Sequence, residues 1–164
     1  MIFVTVGTHE QSFDRLIRKI DDLKGKNIIN EKVIIQLGYT KYKPQFCEWM
    51  EMIGFDEMHN YVKQANIVIT HGGPGSIFLP LQYKKIPIVV PRQKEYGEHV
   101  DNHQVLFTKR LEKMKKVLPV YNIEDLENKI LNYNNLVKTR EAFYISNTDK
   151  FVESLEKEVL DLIK

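Results

Sequence analysis

The run His71-Gly72-Gly73-Pro74-Gly75-Ser76 places three glycines, an imidazole and a hydroxyl within six residues. Glycines let a backbone approach a ligand closely with its N–H groups forward, and a helix starting behind them offers its positive end to an anion. That chemistry is phosphate binding. The plain alternative is a strand-to-helix turn that uses glycine for positive φ, with His71 ordering the turn instead of touching a ligand. A second dense segment, Glu98-His99-Val100-Asp101-Asn102-His103-Gln104, carries six polar side chains in seven residues. Read as a helix start, it puts His99 and His103, at i and i+4, on one face. As a metal pair, H-x-x-x-H alone is short of ligands. As a recognition set, its carboxylate, imidazole and amide groups suit sugar hydroxyls; otherwise it is a solvated helix start with Glu98 favouring the dipole. A third turn, Gly7-Thr8-His9, is also built of small residues and a histidine. His9 and His99 are the side chains suited to proton or charge handling near neutral pH.

Other ligand motifs are missing. There is no G-x-x-x-x-G-K-[ST], and no G-x-G-x-x-G follows the first apolar run, which argues against a nucleoside-triphosphate P-loop and against nicotinamide or flavin binding.

The elements that must position these turns alternate along the chain. Met1 to Val6 is a continuous apolar, β-branched run, read as a buried strand instead of a signal peptide because it is short and lacks a basic flank. Phe13, Leu16, Ile17, Ile20 and Leu23 fall at helical spacing, with Ser12 as the expected N-cap. Strands are predicted over 33–37, within 47–53, over 66–70, over 87–90 and near 117–120. Helices are predicted over 56–64, 76–85, 98–111 and 123–133, the weakest point before the tail lying at 132–135. Pro80 falls inside the second of these stretches, and proline is tolerated only in a helix's first turn, so that helix is expected to start late. Val105 and Leu106 are read as its successor's buried side. The last segment, 150–163, carries Phe151, Leu155, Val159 and Leu162 on one face and reads as an amphipathic terminal helix.

Six strands alternating with helices predict an α/β, Rossmann-like, doubly wound parallel sheet. In such a sheet ordered 3-2-1-4-5-6, ligands bind at the carboxyl ends where the order reverses. That places Gly7-Thr8-His9 opposite His71 to Ser76. A chain of 164 residues has room for one domain, 1–164, with a sizeable core. Net charge is only +2, with both signs mixed along the chain, which gives no electrostatic case for nucleic acid. The one cysteine, Cys47, cannot form an internal disulfide and fits a reducing compartment. No stretch approaches the roughly 18 apolar residues that cross a bilayer.

Three motifs together carry a family resemblance: T-H-G-G-P-G-S from Thr70, I-P-I-V-V-P-R from Ile86 and E-H-V-D-N-H-Q from Glu98. They resemble the C-terminal, donor-binding half of GT-B glycosyltransferases of the peptidoglycan N-acetylglucosaminyltransferase type. The opening M-I-F-V-T-V-G-T is similar to detached forms of that half, in the bacterial capsule and exopolysaccharide branch. The resemblance covers about residues 1 to 135 and implies a catalytic subunit that binds a UDP-sugar and passes a hexose, galactose favoured, to a lipid-linked saccharide. It implies the diphosphate on Gly72, Gly73, Gly75 and Ser76 with His71 beside it, faced by Gly7 and Thr8, and the base read near Phe55 and Met58. Glu98 and His99 stand where relatives carry donor-sugar amides, supported by Asn102 and Gln104. Relatives often bind ribose through a glutamate on the helix after the glycine turn, and Pro80 is read at that place. No metal or other cofactor is expected. The implied partner is a membrane-anchored, acceptor-binding subunit, with 150–163 as a docking candidate, which would hold the chain at the cytoplasmic face of the plasma membrane. Two other classes stay open: a non-catalytic binding or enhancer subunit, and a sugar-nucleotide epimerase.

Overall fold

The computed structural model describes residues 1–140. The segment 150–163, read from sequence as an amphipathic helix, lies outside the described residues, so the division of the whole chain into domains stays an expectation.

Six parallel strands form one sheet: β1 (Ile2–Thr5), β2 (Val33–Gln36), β3 (Glu48–Met50), β4 (Ile67–Thr70), β5 (Ile88–Val89) and β6 (Leu118–Pro119). Their order is β3-β2-β1-β4-β5-β6, as expected for a doubly wound sheet. Register runs Thr5 beside Gln36 on one flank and Thr70 on the other, so three polar side chains line up where the central strands end. The middle strands β1, β2 and β4 are buried along their whole length, which explains runs of Ile, Val and Phe without alternation. The helices are α1 (Asp14–Gly25), α2 (Phe55–Gln64), α3 (Pro74–Gln82), α4 (His103–Lys113), α5 (Leu126–Leu131) and α6 (Tyr133–Val137). The larger core joins α1 residues Leu16, Ile17, Ile20 and Leu23 to one face of the sheet and to Ile77, Leu111, Leu126 and Ile130. A smaller cluster of Phe3, Ile34, Val62, Ala65 and Val68 packs α2 on the other face.

Several expected boundaries move. Ser12 does not cap α1; its hydroxyl donates to the Asp14 carboxylate and accepts from the Lys41 N–H at 3.1 Å, tying α1 to the loop after β2. Helix α3 starts at Pro74, early instead of late. Proline at its first position sacrifices an N–H that has no helical acceptor anyway, and Pro80 falls in the last turn, where only one ladder bond is lost. Helix α4 begins at His103 and not at Glu98, because Glu98 is drawn into buried contacts that a helical backbone there would not reach. Its buried face is Gln104, Thr108 and Leu111, while Leu106 is 67% exposed. The stretch expected as one helix over 123–133 is a 3₁₀ turn (Ile123–Asp125), then α5, then α6. The break falls at Asn132, whose side-chain amide donates back to the Asn128 carbonyl at 3.1 Å, and α6 then runs through 133–137. Among the described residues, no helix is long and apolar enough to cross a membrane.

Candidate functional site

The carboxyl ends of β1 and β4 end in Gly7 and His71, and the two are packed as one unit. Gly7 has φ +72°, and a Cβ there would lie 2.5 Å from Cε1 of His71. A Cβ on Gly73 would lie 2.3 Å from Nε2 of the same ring. The imidazole thus sits between two glycines that cannot be anything larger. Burial, then the nearby Arg92 charge, push its pKa down to about 4, so it is neutral at physiological pH. Its Nδ1 has no hydrogen-bond partner among the described residues. Gly72 serves a different contact, donating its N–H to Gln104 Oε1 at 3.0 Å. Gly75 alone in the turn has open space where a side chain would go.

Gly73 precedes α3 with extended backbone (φ −75°, ψ 135°), and Pro74 takes the first helical position. The N–H groups of Gly75 and Ser76 therefore have no acceptor inside the helix. They open on a cavity of about 290 Å³ lined by Thr5, Gly7, Thr8, Gln36, Met52, Ile53, Met58, His71 and Gly73 through Ser76. Gln36 orders its floor, accepting the Thr5 hydroxyl at 2.6 Å and donating to the Gly7 carbonyl at 3.0 Å. A neighbouring groove of about 630 Å³ shares Ile53, Met58 and Gly75 with it and continues along Gly54, Phe55, His59, Phe78, Leu79 and Gln82. Phe55 is 77% exposed and lies 4.2 Å, centroid to centroid, from His59, which in turn hydrogen-bonds the Tyr83 hydroxyl at 2.9 Å. Pro80 is buried and lines neither cavity; Phe78, Leu79 and Gln82 are the residues around it in that helix that do. A further concavity of about 540 Å³, at the amino ends of the strands around Ile2, Glu31, Asn66 and Tyr133, carries no such convergence: its carboxylate, Glu31, is already paired with the chain's amino group at 2.7 Å.

The Glu98 segment is held against these turns by charge. Arg15 meets Glu98 in a bidentate pair, Nε to Oε1 at 2.8 Å and Nη2 to Oε2 at 2.9 Å, and Glu98 Oε2 also accepts the Gln93 N–H at 3.0 Å. Both carboxylate oxygens are occupied within the fold, so Glu98 does not present the free acceptor that the sequence reading gave it. Arg92 is fully buried. Its Nη groups donate to the carbonyls of Val6 (3.0 Å), Gln11 (2.7 Å) and Glu98 (3.2 Å), and its guanidinium lies 4.8 Å from the Phe13 ring centre. Burial lowers its pKa to about 10, still well above neutrality. Gln104 accepts from both Gly72 and Arg92 N–H groups, and exposed Asn102 accepts the Lys94 N–H at 2.9 Å. These contacts bring His9 and His99 together, rings 4.6 Å apart, with His103 4.5 Å from His99. Desolvation first, then the neighbouring imidazoles, lower the pKa of His99, which keeps it neutral at pH 7.

With this geometry in hand, comparison with known proteins is decisive for the family. Residues 1–159 match the glycosyltransferase family 28 C-terminal domain. The chain belongs to that family. It is 25% identical over 136 residues to the UDP-N-acetylglucosamine transferase subunit ALG13 of Candida albicans, a match that covers 80% of this chain and 45% of that protein. The chain thus spans about half the length of that curated relative. Among solved structures, the kitacinnamycin glycotransferase aligns with a TM-score of 0.59 at 14% identity, over 80% of this chain and 34% of the other. The glycosyltransferase SnogD from Streptomyces nogalater aligns with a TM-score of 0.43 at 21% identity, over 55% of this chain and 25% of the other. The six-stranded parallel sheet of this glycosyltransferase family 28 domain is that of a GT-B half-domain.

Sequence reasoning missed the buried polar group behind the site: Thr5, Gln36, Arg15, Arg92 and Gln93. A signal existed for two of them. Gln36 interrupts an otherwise apolar strand run, and Arg92 follows one directly, and a polar residue in such a place must find partners when buried.

Proposed function

We propose that the chain is the donor-binding, catalytic component of a UDP-sugar glycosyltransferase that transfers a hexose, galactose favoured, to a lipid-linked saccharide in capsular or exopolysaccharide synthesis. The observation that carries the reading is the start of α3. Two N–H groups without helical acceptors open on a cavity of about 290 Å³, and that cavity runs into a groove lined by Phe55 and Met58. A diphosphate suits the first space and a planar base the second. Gly7 and Thr8 would face the diphosphate, with Gly73, Gly75 and Ser76 beneath it and neutral His71 as a hydrogen-bonding wall. Gly72 and Gln104 would hold the turn in shape.

Charge developing on the departing UDP would be met by fixed N–H dipoles and the helix end, which act without reorganisation and need no divalent metal. His99, neutral and beside His9, is the group proposed to handle the proton or the sugar hydroxyls. Glu98 is proposed to position His99 through its Arg15 pair, with Asn102 holding the same loop. The acceptor is proposed to come from a membrane-anchored partner subunit, which would place the chain at the cytoplasmic membrane face. The word "subunit" in the name of the Candida albicans relative supports that assignment.

Calorimetry with UDP, UDP-galactose and UDP-N-acetylglucosamine tests the reading. Gly75 is the residue to change, since a side chain there meets nothing within 4 Å and the fold should survive. Gly75→Ala is expected to keep UDP binding, while Gly75→Asp loses it by setting a carboxylate against the phosphates. Undiminished binding by the aspartate variant, or no UDP binding with or without membranes carrying the partner, overturns the assignment.

A further inference from the structure

From its spacing alone, the H-x-x-x-H pair is two ligands short of a metal site. Asp101, between the two histidines in sequence, and His9, from the loop after β1, stand beside them in the fold. His99 lies before α4 and not on it, yet its ring centre is 4.5 Å from that of His103, and ligand atoms of His99, Asp101 and His103 all lie within 4.8 Å of one another. Asp101 Oδ1 is 2.5 Å from His103 Nδ1 and 3.3 Å from His99 Nδ1, so one carboxylate addresses both imidazoles. From the loop after β1, His9 brings a third ring to within 4.6 Å of His99.

We propose that His9, His99, Asp101 and His103 form a binding site for a divalent transition-metal ion of the zinc or cobalt class between the loop after β1 and the segment ahead of α4. Four side chains of this kind are the number and type such ions take: imidazole nitrogen and carboxylate oxygen in a tetrahedral set. His103 and Asp101 are 54% and 57% exposed, which gives the ion an entry path and lets the side chains adjust to bonding distance. An ion held there would cross-link the loop after β1 to the segment ahead of α4. The inference does not rest on the transfer reaction, which is proposed to need no metal, and it is measured on the chain alone.

Metal-stripped chain is titrated with Co²⁺ and its visible spectrum recorded, with Zn²⁺ competing. The expected result is one Co²⁺ per chain, with the intense d–d bands of a tetrahedral site that disappear on addition of Zn²⁺. His103→Ala and Asp101→Asn change exposed side chains; each is expected to weaken binding by at least about tenfold, and His9→Ala to do likewise. His59→Ala, outside the cluster, leaves it unchanged. Circular dichroism of each variant separates loss of a ligand from loss of fold. No stoichiometric binding overturns the proposal, as does binding that is indifferent to Asp101 and His9, which would reduce the feature to an exposed histidine pair.

Discussion

His71 is the residue on which the turn is built, and its burial has a measurable consequence. In the unfolded chain an imidazole titrates near 6.5; in the fold it is held at about 4. Below pH 6.5 the unfolded state takes up a proton that the folded state refuses, so stability is full above 6.5 and is lost as pH falls toward 4. The loss is on the order of 3 kcal/mol by that linkage. Urea unfolding at pH 7 and pH 5 should show the wild-type midpoint falling markedly, and His71→Asn should flatten that fall. An unchanged slope in the variant would place the acid sensitivity elsewhere. The same packing predicts that Gly73→Ala, which meets His71 Nε2 at 2.3 Å, destabilises the fold by about 2 kcal/mol or more, read as a lower urea midpoint. The glycines were legible as a tight turn from sequence. That Gly7 and Gly73 are small because an imidazole lies between them was not, since the contact joins residues 7, 71 and 73 across two strand ends.

At the scale of elements, the strands were legible and the helix starts were not. Apolar runs over 2–4, 33–35 and 67–69 state their own burial, and alternation with helices then leaves few sheet orders open. The start of α4 depended on Glu98 leaving the helix for Arg15, eighty-three residues away, and no local pattern records such a partner. That pair makes its own prediction. Arg15 and Glu98 are both largely buried, so removing one charge strands the other. Glu98→Gln should cost roughly 3 kcal/mol in urea unfolding, whereas breaking a surface pair such as Lys26–Asp22 should leave the urea midpoint almost unmoved. Because the same carboxylate holds the segment carrying His99, the variant should also lower transfer more than it lowers UDP affinity. Equal losses in both would mean that Glu98 supports the cavity and not the imidazoles.

For the molecule as a whole, the question is what kind of force would hold the proposed nucleotide diphosphate at the end of this sheet. Net charge is only +2, and among the described residues those lining the cavity of about 290 Å³ include no lysine or arginine. Arg15 and Arg92, behind the site, are committed elsewhere, Arg15 to Glu98 and Arg92 to the carbonyls of Val6, Gln11 and Glu98. In the proposed site, attraction would fall to the N–H groups at the start of α3 and to the dipole behind them. Such contacts act over one hydrogen bond, while screening by salt acts over about 8–10 Å at ordinary ionic strength. A site built from mobile surface cations would lose affinity steeply as salt rises; a site built from fixed dipoles in a half-enclosed cavity should not. Titrating UDP into the chain at low and at high sodium chloride should change the dissociation constant by less than about threefold. A steep decline would show that lysine or arginine side chains close over the phosphates, and the assignment of the diphosphate to backbone N–H groups would then have to be given up.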